Sequence, residues 1–398
     1  MTRRTVLLLL VVVVLAALFA VLHGAVSDPG AARLASASES PAPERGSIAA
    51  IPSSAPDLLG VREGELCGYG RFAPGEGHLL PAEVEQGARV LLARLRERVL
   101  REGGPRQQAQ VQLVHGAREL RERAEACGES ASCMAGVEAA SDALAQDLAE
   151  RATRSRDPEL MVLALKACGP MSGAPACAGV TPAAWAERDP DNARAWLAML
   201  RTPGLDDAQR ATIVARAAAA KTADPRLDGL LALATEPEVS GASTPVRLAA
   251  LIPVLGMAAA MPLRGQSEAE RYCKAPVRTA QERADCTRLA DLLIDRGRTM
   301  SEHLLGRRLG RGLGWSEARL EGLTLESHRL SRVLAPPAIE SFFDFFNCAQ
   351  AEHLDRRIGY TLGEGELAWA RRQLRAAPPA EPLALPNPLR VGPSEVGR

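Results

Sequence analysis

The sequence predicts an all-α protein built from irregular helical hairpins, α-solenoid-like in arrangement, following an N-terminal transmembrane or signal-anchor helix. Three observations carry this. Apolar residues recur at helical spacing along most of the chain. Alanine and arginine, both good helix formers, are abundant. No run of alternating β-branched residues is present that would make a sheet. The 398 residues are 46% apolar, 24% charged and 3% aromatic, a globular balance that excludes wholesale disorder and a multi-spanning membrane protein. The 48 basic and 48 acidic side chains cancel, so bulk attraction to nucleic acid is absent and no nucleic-acid partner is expected. All but three of the basic residues are arginine, a bias ascribed to a GC-rich, bacterial codon pool.

Thr5 to Leu22 is an uncharged run of 18 residues. As a helix it spans roughly 27 Å, close to a bilayer core. Arg3 and Arg4 precede it and no basic residue follows before Arg33, so residues 1–22 read as a cytoplasmic stub and a single membrane span with the remainder outside. Secretion after signal cleavage is the alternative, against which stand the length of the run and the poor cleavage site at His23-Gly24-Ala25. Residues 23–59, rich in Ala, Ser and Pro, read as a flexible tether. Residues 378–398 hold six prolines and read as a disordered tail.

Both options place residues 60–377 in the periplasm, where disulfides persist. Cys127 with Cys133, Cys168 with Cys177, and Cys273 with Cys286 form local couples, leaving Cys67 and Cys348 as a long-range pair. Eight cysteines allow 105 connectivities, and spacing does not choose among them. Local bridges at helix turns are the simplest arrangement.

The first helix is marked by Val84, Ala88, Leu91, Leu92, Leu95 and Val99, a continuous stripe on one face. Leu113, Ala117, Leu120 and Ala124 mark the second, and Glu97/Arg101 and Glu119/Arg123 suit solvent-facing turns. Asp157-Pro158, Asp189-Pro190 and Asp224-Pro225 read as helix starts, Asp capping and Pro taking the first helical position. Their separations of 32 and 35 residues bracket one helix-turn-helix repeat. Ala-Cys-Gly (126–128 and 167–169), Ala-Gly-Val (135–137 and 178–180) and Ala-Glu-Arg (149–151 and 186–188) recur in the same order, an echo of duplication.

From Ala186 to Leu200 the chain resembles a tetratricopeptide-type repeat junction, through Pro190, Asn192, Ala195, Trp196 and Met199. Leu200 stands where that pattern wants glycine, and Pro203 interrupts its continuation. The resemblance covers about 15 residues; it implies stacked helical hairpins and protein binding, and no chemistry.

Thr235 to Pro245 reads as the separation between an N-terminal helical half, 60–240, and a C-terminal half, 241–377. Leu248 to Leu263, interrupted by Pro253, reads as a buried, kinked core helix. Gly306, Gly310 and Gly314, four apart, would line one helix face and let a neighbour approach. Arg307, Arg308 and Arg311 in the same segment are candidates for contact with an anionic surface. Ile339, Phe342, Phe343 and Phe346 share a face as a local core, and Phe345, off that stripe, is a candidate partner anchor.

Catalytic signatures are missing: no Gly-x-Ser-x-Gly, Ser-x-x-Lys, His-Glu-x-x-His, Cys-x-x-Cys or Gly-x-x-x-x-Gly-Lys occurs. Cys348 with His353 and Glu352 is too sparse for zinc. His115, His303, His328 and His353 read as helix-surface or flank residues. Asp206-Asp207 reads as a helix N-terminus and Asp291/Asp295 as a carboxylate pair on one face. No catalytic, cofactor or metal residues are assigned, and no cofactor is expected. The function expected is a membrane-anchored periplasmic interaction or scaffold module with a protein partner in the envelope. The alternatives are an envelope hydrolase acting on cell-wall material and a purely structural envelope protein.

Overall fold

A computed structural model describes residues 64–72, 80–128, 130–169, 172–226, 228–259, 265–276, 278–337 and 342–376. Thr5–Leu22, the tether segment, Ile339 and the proline-rich tail lie outside them. The described chain is all-α apart from one hairpin.

That hairpin, β1 (Gly64–Leu66) and β2 (Gly70–Phe72), pairs antiparallel with Leu66 opposite Gly70. It corrects the expectation of no strand. β-branched residues do not drive it; Gly68 and Gly70 do, at φ 76° and 102°, which a side chain would resist. α1 (Ala82–Glu102) follows and buries Val84, Ala88, Leu91, Leu92, Leu95 and Val99, the whole of the stripe read from the sequence. It stops at Gly103, whose N–H bonds Val99 O at 2.8 Å. α2 (Pro105–Cys127) starts with proline at its first position, and α3 (Ala131–Arg154) is capped by Ser130 Oγ accepting from Cys133 N. α2 buries Val111, Leu113 and Val114, whereas Ala117, Leu120 and Ala124 are only half-buried.

α4 (Pro158–Ala167), capped by Asp157, is buried at every position from Glu159 to Leu165, as a central helix must be. α5 (Pro182–Arg188), α6 (Ala193–Met199), α7 (Asp207–Ala219), α8 (Asp228–Ala232), α9 (Pro237–Ser240) and α10 (Thr244–Ala259) come next. The C-terminal part holds α11 (Gln266–Lys274), α12 (Ala280–Arg296), α13 (Met300–Gly312), α14 (Glu317–Leu334), α15 (Cys348–Leu362) and α16 (Glu366–Ala376).

Packing does not break at residue 240. Ala250, Leu251 and Val254 of α10 join the core made by α1, α2 and α4. A second core gathers α7, α11, α12 and α13. α6 divides the two, giving Ala195 and Ala198 to the first and Ala193 and Leu197 to the second. Residues from 60–240 and from 241–377 therefore share one core. Residues 237–240, read as a separator, are helical, and Arg98 of α1 holds Glu236 and Glu238, each at 2.5 Å.

The hairpin is tied to the start of α15. Cys67 N–H donates to Phe346 O at 2.8 Å, and Cys67 is bonded to Cys348 at the first position of α15. The other bridges are Cys127–Cys133 at the α2–α3 turn, Cys168–Cys177 after α4, and Cys273–Cys286 between α11 and α12.

Gly306 and Gly310 share the buried face of α13 but meet different neighbours, and Gly314 falls beyond the helix end. Gly306 lies against α12, where a Cβ would stand 2.7 Å from Ala290 O and from Ile294 Cγ1. Gly310 lies under the Trp315 ring, and Gly314, at φ 76°, follows the helix end. Gly306→Ala is expected to lower stability by about 1–3 kcal/mol, since backbone blocks the added methyl. Gly136→Ala, with nothing within 4 Å of the new atom, is expected to add up to about 1 kcal/mol by helix propensity. Urea unfolding of the two variants checks the pair.

Candidate functional site

The densest set of ionisable groups runs through the turns that hold the three Asp-Pro steps. Asp157 caps α4 as expected, its Oδ1 accepting from Glu159 N at 2.9 Å. The other two are not helix starts. Asp189 ends α5 and is buried, and the cap of α6 is Asn192, whose Oδ1 accepts from Arg194 N at 3.1 Å. Asp224 is buried in the turn before α8. These carboxylates are occupied by arginines instead of helix N–H groups.

Arg106 of α2 meets Asp157 at 2.8 Å and Glu159 at 3.1 Å, and Gln110 Nε2 donates to Glu159 at 2.5 Å. Arg226 grips Asp189 with two bonds of 2.9 Å, the bidentate geometry that favours guanidinium over ammonium. Arg226 and Arg298 both lie 3.8 Å from Asp224. Arg194 Nε lies 3.4 Å from Glu302 Oε1 in the deepest part. Glu302 Oε2 accepts from Thr299 N and Thr299 Oγ1, both at 2.8 Å, at the start of α13. Oppositely charged side chains thus alternate from α2 to α13.

Backbone pairing keeps these turns in register. Asn192 Nδ2 donates to Asp189 and to Asp224 O, each at 2.8 Å, and Asp224 N donates back to Asn192 Oδ1 at 3.0 Å. Parallel bridges join Asn192 to Thr222 and Ala223 to Gly297, so the turns after α5, α7 and α12 lie side by side. Arg226 has φ 58°, the one non-glycine residue with positive φ among the described residues. Such a conformation costs about 1–2 kcal/mol; the Asp189 bonds and its own N–H to Asp224 Oδ1 at 2.8 Å hold it.

Burial raises the Asp189 carboxyl, but the Arg226 and Asn192 hydrogen bonds outweigh it and hold the group below the ordinary aspartate value. Burial pushes Glu302 up and Arg194 down, each partly offset by the other's charge. Glu302 is fully enclosed and Arg194 is 6% exposed, so this pair is sealed from any dissolved substrate. The chemistry the set can perform is to clamp turns against one another. A cavity of about 10 Å³, room for about one water, lies elsewhere, between Leu92, Val111, Leu233 and Leu251, apolar apart from His115.

Other residues singled out by sequence are placed differently. Phe345 is half-buried against the cluster of Leu66, Val84 and Phe346, which removes it as an exposed anchor. Arg307 donates to Thr324 Oγ1 at 3.3 Å and Arg308 holds Glu270 at 3.1 Å, both half-buried, whereas Arg311 is exposed. Asp291 is paired with Arg319 and Asp295 is exposed. Asp206 caps α7 reciprocally with Gln209, as read. No group of three or more His, Cys, Asp or Glu side chains able to hold a metal occurs among the described residues.

His303 and His353 correct the surface reading. His303 is fully buried with Nε2 3.0 Å from Ser327 Oγ, and His353 is 8% exposed. Burial, then the charges of Arg357 and Arg356, push His353 down to about 4. A histidine whose folded value lies below its unfolded one, about 6.5, contributes stability that is complete above that value. It is lost as pH falls from about 6.5 toward about 4. Urea unfolding is expected to show this loss, and His353→Gln to make it smaller, the rest coming from His303 and His115, which burial also lowers.

Sequence reasoning passed over Arg194, Arg226 and Glu302. A single buried ion on a short helix looks like any solvated charge, and the one local sign was Asn192 in the repeat-like junction. In comparisons with family models, curated proteins and solved structures, the chain matches none.

Proposed function

We propose that this chain is a membrane-anchored, periplasmic helical scaffold of the bacterial envelope, an α-solenoid-like stack that binds a protein partner. The observation that carries the reading is the engagement of all eight cysteines in four disulfides. Bonds of that kind persist in oxidising compartments. The apolar run Thr5–Leu22, with Arg3 and Arg4 before it, supports retention in the membrane. Side-by-side turns after α5, α7 and α12 support stacked hairpins, and the junction from Ala186 to Leu200 resembles the tetratricopeptide kind. Pairing of the buried carboxylates with arginines favours a scaffold over a hydrolase.

The test is a pair of C-terminal reporters in cells, one active only outside the cytoplasm and one only inside. Activity of the external reporter, with the protein in the membrane fraction, is expected. Activity of the internal reporter alone would overturn the reading. Crosslinking in intact envelopes, followed by identification of what is captured, then names the partner.

A further inference from the structure

Between Val114 and Ala145 the one buried residue among the described residues is Cys127. This stretch is the far end of the α2–α3 hairpin. The last residue that α2 buries in the first core is Val114, and the first that α3 buries there is Leu148. Leu120, Ala124, Met134 and Val137, the apolar side chains of the far end, are only half-buried.

Polar contacts do not tie the two helices together there either. Arg118 pairs with Glu122 and Arg121 with Glu125, all within α2, and no side-chain hydrogen bond or ion pair joins 115–126 to 131–144 among the described residues. Isolated helices shorter than about 12–15 residues are marginal in water, and neither segment exceeds that length. The tie that remains is covalent: Cys127, the last residue of α2, is bonded to Cys133 in the first turn of α3.

The four bridges differ in what surrounds them. Cys273 and Cys286 are 4% and 1% exposed, and Cys168 and Cys177 are both half-buried. Cys133 and Cys348 are exposed. Cys67, however, lies between the fully buried Leu66 and the N–H···O bond to Phe346, so opening its bridge to Cys348 leaves the two sulfurs held side by side and ready to reclose. Nothing comparable holds Cys133 to Cys127. Cys133 also stands at the positive end of a 24-residue helix, which stabilises a thiolate and so favours the reduced form.

We propose that Cys133 is the point of attack for a dithiol reductant, and that opening the Cys127–Cys133 bond releases the end of the α2–α3 hairpin, residues 115–144, while the body stays folded. A thiolate of the reductant attacks the Cys133 sulfur, the S–S bond breaks, and Cys127 leaves with the bonding pair and takes up a proton. The reductant's second thiol then attacks the mixed disulfide and frees Cys133. Two electrons and two protons pass to the protein, and the dithiol becomes a disulfide. In an oxidising compartment the bond is closed at rest, and only a dithiol brought to it opens the hairpin.

The full-length chain is equilibrated in graded mixtures of reduced and oxidised dithiothreitol, quenched with acid, alkylated and mapped by mass spectrometry. Cys127 and Cys133 are expected to be alkylated at a reduced-to-oxidised ratio at least about tenfold below the one that opens any other bridge. At that ratio, amide hydrogen exchange is expected to quicken at least about tenfold in 115–126 and 131–144 and to stay unchanged in 91–99 and 160–165. Cys127→Ala/Cys133→Ala is expected to show the same fast exchange without reductant. Brief treatment with glutathione, a monothiol, is expected to leave its adduct on Cys133.

An adduct on Cys127, or another bridge opening first or all four together, overturns the assignment of Cys133. Unchanged exchange in the opened chain, or a double variant that exchanges as slowly as the oxidised chain, overturns the release and shows that the helix pair holds without the bond. Exchange that quickens through the body as well overturns it in the other direction, making the bond a support of the whole fold.

Discussion

Replacing Cys67 and Cys348 together by serine is expected to lower the unfolding free energy by about 4–5 kcal/mol, the largest loss from any of the four bridges. The bond joins residues 281 apart, whereas the others span 6, 9 and 13. In the chain-entropy account a long loop restrains the unfolded chain most; the short ones are worth about 2–3 kcal/mol each. The local structure compounds the effect. Beyond the disulfide, the hairpin is held by the 2.8 Å bond from Cys67 N to Phe346 O and by a small cluster of Leu66, Leu80, Val84, Leu248, Phe346 and Ala351. Urea unfolding of this variant beside Cys127→Ser/Cys133→Ser checks the ranking. An equal or smaller loss for the long bridge would show that the hairpin is held to α15 by packing alone.

Arg194→Met is expected to cost about 3–5 kcal/mol, because it strands the Glu302 carboxylate in a site without solvent. Arg194→Met/Glu302→Leu is expected to recover most of that loss, since removing both charges also removes their desolvation penalty. The sign of the pH dependence follows from burial, which raises Glu302 above the ordinary carboxylate value. The folded protein then holds a proton that the unfolded chain has released, so stability falls as pH rises from about 4.5 through the raised value. In the Arg194→Met variant this slope is expected to steepen, and its deficit to shrink on acidification from neutral pH toward about 5. Chemical unfolding of the single and double variants across that range decides it. A double variant as unstable as the single one would show that the methionine clashes and that the charge is immaterial.

The parts of the fold legible in sequence are those set by repetition along one helix. The six-residue stripe of α1 is its buried face, and Pro253 sits inside α10, whose Leu248, Leu251 and Val254 are buried. What could not be read depends on partners distant in sequence. Asp189 and Asp224 look like caps until Arg226 and Arg298 are placed beside them, and Arg308 looks solvated until α11 brings Glu270 to it. His303 belongs to an α13 whose buried face includes Glu302, so polarity along that helix misreports which side faces inward. The hairpin was hidden because glycines at 68 and 70, with a disulfide between them and the C-terminal part, substitute for β propensity.

Export into an oxidising space is tested most directly by the state of the cysteines in living cells. Intact cells are quenched with acid, free thiols alkylated, and the protein digested without reduction for peptide mapping by mass spectrometry. The expected result is no alkylated cysteine and four linked peptides, Cys67 with Cys348, Cys127 with Cys133, Cys168 with Cys177 and Cys273 with Cys286. Recovery of these eight cysteines as alkylated thiols would contradict it, placing the body in a reducing compartment.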